Sequence, residues 1–433
     1  MLTALDRPRI AAPIGRKAGP KSVIVACPDA RPPAYQAVVG LAAAGRLDRF
    51  VTGFYHRADG PLAPLGRWPS LGRILNRRHD PEIPDDRVLP TFGFDLALAA
   101  ENRIGARAPA LRRRLARLRT RHFDRLVARA IDRQRPAVAL VFSDVASEVA
   151  LPRCRALGVA TVLSMVHGDV REEALVLDRE REAAPDFFPI YLADGPIDEA
   201  ELAWLHARRL RDIEQADVIL VPSDHIAAVL ARHGTPRDRI RVVPYAADTR
   251  RFVPESKRVH ARECTFLFAG GVTQRKGIKY LLEAWRLVRR PGWRLQLLGP
   301  LPGDPTPLAP YRDEVDWLGR VGHAEVPARM AAADVFVFPS LFEGSAVVTY
   351  EALACGLPSV VTAEAGSVVR DGRDGLIVPA GDVESLAKAM ERMGDDPEFR
   401  AACSASARAR AEAFDWPRYH AAVVAATEDA ARP

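Results

Sequence analysis

A chain of 433 residues exceeds what one hydrophobic core organises, so two domains of roughly 200 residues each are expected. Its 48% hydrophobic and 27% charged residues exclude the disordered and fibrous classes, and no apolar run approaches the roughly 18 residues that cross a bilayer. The net charge of +7 points to an anionic partner, either a phosphorylated substrate or a membrane surface; no zinc, KH, RRM or homeodomain pattern supports nucleic acid.

From the amino terminus, residues 1–20 mix Asp6, Arg7, Arg9, Arg16 and Lys17 with prolines and read as a disordered leader, not a signal peptide, which places the chain in the cytoplasm. Apolar strand-like runs follow at 22–27, 51–54, 137–142, 161–165, 218–221 and 240–243, and again at 265–269, 294–298, 315–318, 335–338 and 359–362. Continuous Val, Ile and Leu runs separated by helix-length stretches imply parallel strands covered on both faces, in a doubly wound α/β architecture. Residues 56–90, rich in Pro, Arg and Gly, read as an insertion. Residues 101–135 read as one arginine-dense helix carrying Arg112, Arg113, Arg114, Arg117, Arg119, Arg121, Arg125 and Arg129. A solvated basic face on a packed helix is the favoured reading of it, with rest on an anionic membrane as the alternative. Five cysteines, odd in number and scattered, fit reduced thiols; no metal-ligand spacing stands out.

One phrase occurs twice. Ala216-Asp-Val-Ile-Leu-Val-Pro-Ser223 returns as Ala333-Asp-Val-Phe-Val-Phe-Pro-Ser340, as two similar halves would produce. The halves are expected at 21–253 and 260–412, with 413–433 a separate helix packing back on the first.

Two segments carry the chemistry. In the first, a strand ends at Phe338, a loop holds Glu343 and Gly344, and a helix is expected from Ser345 until Gly356 and Pro358 close it. The amides of Ser345, Ala346 and Val347 at that helix start would form an anion site beyond a strand's carboxyl end. Glu343 beside it would repel phosphate but accept hydrogen bonds from a sugar; Glu351, two turns on, could accept them from ribose. In the second, strand 265–269 runs into Gly270-Gly271 and then Arg275-Lys276-Gly277. Two cations at such a turn can clamp a diphosphate and stabilise its departure.

These segments resemble the GT-B glycosyltransferases of family 4, also called glycosyl transferases group 1, over about residues 160–425. The family's Glu-x7-Glu element resembles Glu343 to Glu351, and its Arg/Lys clamp resembles Arg275 and Lys276. The resemblance implies two Rossmann-like domains facing a cleft, and a retaining transfer of sugar from a UDP- or GDP-linked donor to a glycan or lipid-linked acceptor, without a metal or other cofactor. It further implies that Glu343 and His167 meet the sugar, that Gly344, Ser345, Ala346, Val347 and Gly271 lie at the phosphates, and that Leu318-Gly-Arg320-Val321 faces the base. Arg31, Tyr35 and Asp169 are candidates on the acceptor side. The family often places an arginine where Gly271 stands. An epimerase, a phosphorylase or a catalytically silent nucleotide-sugar-binding scaffold are the other functions such a fold would allow.

Overall fold

The computed structural model describes residues 22–29, 32–57, 78–104, 108–192, 197–255 and 263–431. The leader expected over 1–20, the candidate Arg31 and residues 58–77 of the expected insertion lie outside the described residues.

Two all-parallel sheets organise the chain. The first contains β1 (Val23–Ala26), β2 (Leu47–Thr52), β3 (Val88–Pro90), β4 (Val138–Phe142), β5 (Ala160–Ser164), β6 (Val218–Val221) and β7 (Ile240–Val242), in the order 3-2-1-4-5-6-7. The second contains β8 (Cys264–Ala269), β9 (Trp293–Leu298), β10 (Asp316–Gly319), β11 (Val335–Phe338), β12 (Ser359–Thr362) and β13 (Gly375–Val378), in the order 10-9-8-11-12-13. Each order reverses once, at the β1–β4 and β8–β11 pairs, and a crevice opens beyond the strand ends at such a point. The central strands are buried throughout: all four residues of β11 have 0% exposure. This is the pair of doubly wound sheets that the apolar runs imply.

The repeated phrase corresponds to a repeated bond pattern. Asp217 before β6 accepts the Thr161 amide at 2.8 Å, while its own amide donates to the Thr161 carbonyl. Asp334 before β11 does the same with Thr265, accepting its amide at 2.8 Å and donating to its carbonyl. In both halves the aspartate stitches one strand's start to its neighbour's.

Three elements differ from expectation. β2 begins four residues earlier than its apolar run, because Asp48 and Arg49 enter the strand half-buried and pair with each other. The edge strands β3 and β13 were not expected: β3 is three residues ending in proline, which an edge tolerates, while β13 is the short run Leu376-Ile377-Val378 after Gly375. β3 also makes the end of the expected 56–90 insertion part of the sheet. The single helix expected over 101–135 is instead two, Phe92–Ile104 and Pro109–Gln134, consistent with Pro109 as a helix start. They pack through Phe94 on Phe123 and the Arg119–Glu101 ion pair. Arg112, Arg113 and Arg121 pair with Glu201, Asp198 and Glu148, so much of the basic face is bound to acids of this chain.

The last helix, Trp416–Ala430, returns to the first sheet's covering helix Pro32–Ala43. Tyr419 donates to the Pro33 carbonyl at 2.9 Å, and a Cβ at Gly40 would come within 2.6 Å of His420, so the two helices touch backbone to side chain.

Candidate functional site

Beyond the carboxyl ends of β8 and β11 lies a cavity of about 440 Å³. Its lining includes Gly270, Gly271, Lys276, Arg320, Val321, Glu343, Ser345, Ala346, Val347 and Val348. The floor is bare backbone where Gly299 meets Gly270: a Cβ at Gly299 would sit 1.8 Å from the Gly270 carbonyl oxygen, so only glycine permits that approach.

Lys276 and Glu343 form an ion pair inside this cavity, with Arg275 at 3.8 Å from the same carboxylate oxygen. Burial pushes the Glu343 carboxyl up, but Lys276 and Arg275 outweigh it and hold the group below the usual carboxylate range, so it is ionised at neutral pH. Burial pulls the Lys276 ammonium down, and neighbouring Arg275 acts in the same direction against the attraction of Glu343. The Glu343 cluster thus sets two cations against one anion, and Arg320 adds a further positive charge to the lining.

The helix beyond Glu343 spans Val347–Ala354, starting two residues later than expected, and Gly356 with φ +69° follows its end. The anion site at its start is narrower than the sequence implies. The Ala346 amide donates to the Ala365 carbonyl at 3.0 Å, and the Ser345 hydroxyl to the Gly366 carbonyl at 2.7 Å. The Ala346 amide is therefore occupied, and the open first-turn amides in the lining are those of Val347 and Val348.

The first half meets the loop that carries Glu343 through the turn after β5. A Cβ at Gly168 would come within 2.4 Å of the Phe342 ring and one at Gly344 within 2.6 Å of the Val166 carbonyl; Ser223 donates to the Gly344 carbonyl at 3.0 Å. His167 therefore sits against the Glu343–Gly344 loop. Its Nδ1 lies 2.8 Å from the Gly168 carbonyl, to which it donates, while Nε2 has no hydrogen-bond partner among the described residues. Burial, with nearby Arg209, brings the imidazole down to about 4, against the pull of Asp144. A neutral ring with an unbonded Nε2 lone pair is a hydrogen-bond acceptor, but Nε2 is buried and His167 lies outside the cavity lining.

Two groups beside His167 escaped the sequence reading. Asp144 follows β4 with φ +76°, its carboxylate 3.9 Å from His167 Nε2 and held by Arg209 through bonds of 2.9 and 3.1 Å. Strain of this kind in a non-glycine residue concentrates at functional sites. Its only local signal was a Ser-Asp pair directly after a strand end.

Other candidates fall elsewhere. Asp169 is fully buried, caps the helix Val170–Ala183 through the Arg171 amide and is ion-paired with the Arg171 guanidinium, so its oxygens serve the fold and not an acceptor. Tyr35 lies in the core of the first half, its ring against Phe50 and Tyr55, and does not reach the cavity. Glu351 is half-buried outside the cavity lining; burial, little offset by Arg251, raises its carboxyl to about 7.

Residues 79–251 match the family described as Glycosyltransferase Family 4, and residues 263–396 the family described as Glycosyl transferases group 1. The chain is 34% identical over 236 residues to the D-inositol 3-phosphate glycosyltransferase of Pseudarthrobacter chlorophenolicus, a match covering 48% of this chain and 56% of that protein. It is 30% identical to the MMP alpha-(1->4)-mannosyltransferase of Mycolicibacterium hassiacum, over 49% of this chain and 54% of the relative. The chain thus spans about half the length of the curated relatives it matches. Among solved structures, sucrose-phosphate synthase from Thermosynechococcus elongatus superposes with a TM-score of 0.62 at 20% identity, over 92% and 96% of the two chains. Anabaena HepE in complex with UDP-glucose superposes with a TM-score of 0.58 at 16% identity, over 95% and 98%.

Proposed function

Because the chain belongs to family 4 of the glycosyltransferases and has their GT-B fold, we propose that it transfers a sugar from a nucleoside-diphosphate donor to an acceptor hydroxyl, with retained anomeric configuration. The observation that carries this reading is the Glu343–Lys276 pair, set in one cavity with a helix start and faced by the His167 turn. HepE, which shares the fold, is described in complex with UDP-glucose, and UDP or GDP is the donor base we assign.

The donor's diphosphate lies between Arg275, Lys276 and the Val347–Val348 amides, with the base toward Arg320 and Val321. Glu343 accepts from the sugar's hydroxyls once the phosphates share its lysine. His167 backs the Glu343–Gly344 loop from the first half. As the bond from anomeric carbon to phosphate oxygen breaks, the two cations and the helix start stabilise the charge gathering on the diphosphate. The acceptor oxygen bonds to the same face of that carbon, and its proton passes to a diphosphate oxygen. No metal is needed, because the cations carry out that neutralisation. A chelator is therefore expected to leave turnover unchanged; a tenfold drop restored by Mg²⁺ would contradict this part of the reading. The setting we attach is bacterial surface polysaccharide or lipopolysaccharide assembly, in the cytoplasm or at the inner face of its membrane, which comes with the family resemblance; among the described residues no helix is long and apolar enough to cross a membrane.

The direct test presents UDP- and GDP-sugars with a panel of glycan and lipid-linked acceptors. Donor consumption that requires an acceptor supports transfer. Conversion of the donor alone would mean an epimerase, sugar-1-phosphate formation from glycan and phosphate a phosphorylase, and binding without turnover a silent scaffold.

Glu351 supplies a pH signature. Its carboxyl is raised in the folded chain, so the stability tied to its neutral form is present below the unfolded value near 4.3 and is lost as pH rises through about 7. Relative to Glu351→Gln, the wild type should lose roughly 1–3 kcal/mol between pH 4.5 and 8, read by denaturant titration.

A further inference from the structure

The helix Val170–Ala183 begins directly after His167-Gly168-Asp169 and ends under the other half of the molecule. Near that end, roughly 16 Å from its cap at the helical rise, stands Glu180, with 0% exposure. Its carboxylate is met by donors from the second half: Gln274 Nε2 at 2.6 Å, and the Tyr280 hydroxyl at 2.9 and 3.0 Å from the two oxygens. From its own helix, Arg179 Nε approaches to 3.3 Å. A buried carboxylate is costly unless its lone pairs are satisfied, so this geometry exists only while the halves are together.

What Glu180 holds is the phosphate turn. Gln274 directly precedes Arg275 and Lys276 and is itself fully buried; its side-chain Oε1 accepts the Lys279 amide at 3.1 Å in the first turn of the helix Ile278–Val288. The Arg275 amide donates to the Tyr191 carbonyl of the first half at 3.2 Å. Val176, Leu177, Tyr191, Tyr280 and Leu341 form a buried apolar cluster across the same junction. One end of a rigid helix thus presents the His167 turn to the Glu343 loop, and the other end fixes the segment carrying both cations.

We propose that Glu180 is a positioning residue: a latch on the closed cleft that sets the Gln274–Lys276 turn in register with His167, so that closing the halves and placing the diphosphate clamp are one event. The proposal rests on the transfer reading for its consequence in turnover, but the latch itself has a signature in the ligand-free protein. With the latch intact, the Arg275 amide is shielded by its bond to the Tyr191 carbonyl across the junction; without it, the halves part and the turn is exposed to solvent while the second sheet stays folded.

The experiment measures amide hydrogen exchange by mass spectrometry on the ligand-free full chain, with kcat, KM and UDP affinity, for wild type, Glu180→Ala, Glu180→Gln and Tyr280→Phe. Glu180→Ala should speed exchange at 274–281 and 188–192 at least tenfold over wild type, leaving β8 and β11 protected. It should lower kcat at least tenfold and weaken UDP binding several-fold, because the turn that carries both cations is no longer held in place. Glu180→Gln, which keeps one acceptor oxygen, and Tyr280→Phe, which removes one donor with little change of volume, should fall between; they decide the matter if the alanine variant does not fold. Unchanged exchange at 274–281 in all three variants would overturn the latch, as would faster exchange spread evenly over both sheets. If the wild type binds no nucleoside diphosphate and turns over no donor, the transfer reading fails while the exchange result still judges the latch.

Discussion

Lys276→Ala is expected to lower transfer about 10²–10³-fold, the loss typical of removing one group that stabilises developing charge in a shielded site. Lys276 is the nearer cation to Glu343 and lies on the cavity wall, whereas Arg275 stands 3.8 Å from that carboxylate and is more exposed. Arg275 therefore does not replace it. The substitution also leaves Glu343 short of its main counter-charge in a largely buried position, a stability cost that must be separated from the catalytic one. Lys276→Met combined with Glu343→Gln removes both charges at similar volume. That double variant should regain the melting temperature lost by Lys276→Ala while staying inactive. Near-normal turnover by Lys276→Ala, or activity recovering together with stability, would refute the assigned role.

Gly344→Val should be nearly as damaging for a different reason. The first carbon of any side chain at 344 would come within 2.6 Å of the Val166 carbonyl oxygen and 3.0 Å of the His167 Cα, both backbone atoms that yield only by moving the turn. The first half is then wedged away from the Glu343 loop and the Ser223 bond to the Gly344 carbonyl is lost. Turnover is expected to fall at least 10²-fold, since misplacement of reacting groups by about 1 Å has that effect. Nucleotide affinity should stay within a few-fold, because the cavity is built from the second half. An active Gly344→Val enzyme would show that the two halves do not need this contact for chemistry.

Where an apolar run was continuous, the sequence was sufficient: β4, β6, β8, β11 and β12 lie within a residue of their expected spans, because a strand covered on both faces leaves no polar interruption. The edge strand β3 is too short for such a run, and the Leu376-Ile377-Val378 run of β13 went unread. The loop from Phe338 to Gly344 and the 275–276 turn were likewise legible, since the residues that make the site adjoin strand ends in the chain itself. Groups that act across long sequence separations were not. Asp144 meets Arg209 from 65 positions away and Glu180 meets Gln274 from 94, and nothing local marks either pair. The Ala346 amide was misjudged for the same reason: its acceptor, Ala365, comes from the turn after β12.

Calorimetric titration of UDP and GDP into the wild type and Lys276→Ala asks most directly whether a diphosphate occupies the cavity between the 275–276 turn and the Val347 helix start. Saturable one-to-one binding of one nucleotide, weakened at least tenfold by the substitution, is the predicted result. Equal affinity in the two proteins, or no binding of either nucleotide to the wild type, would contradict it.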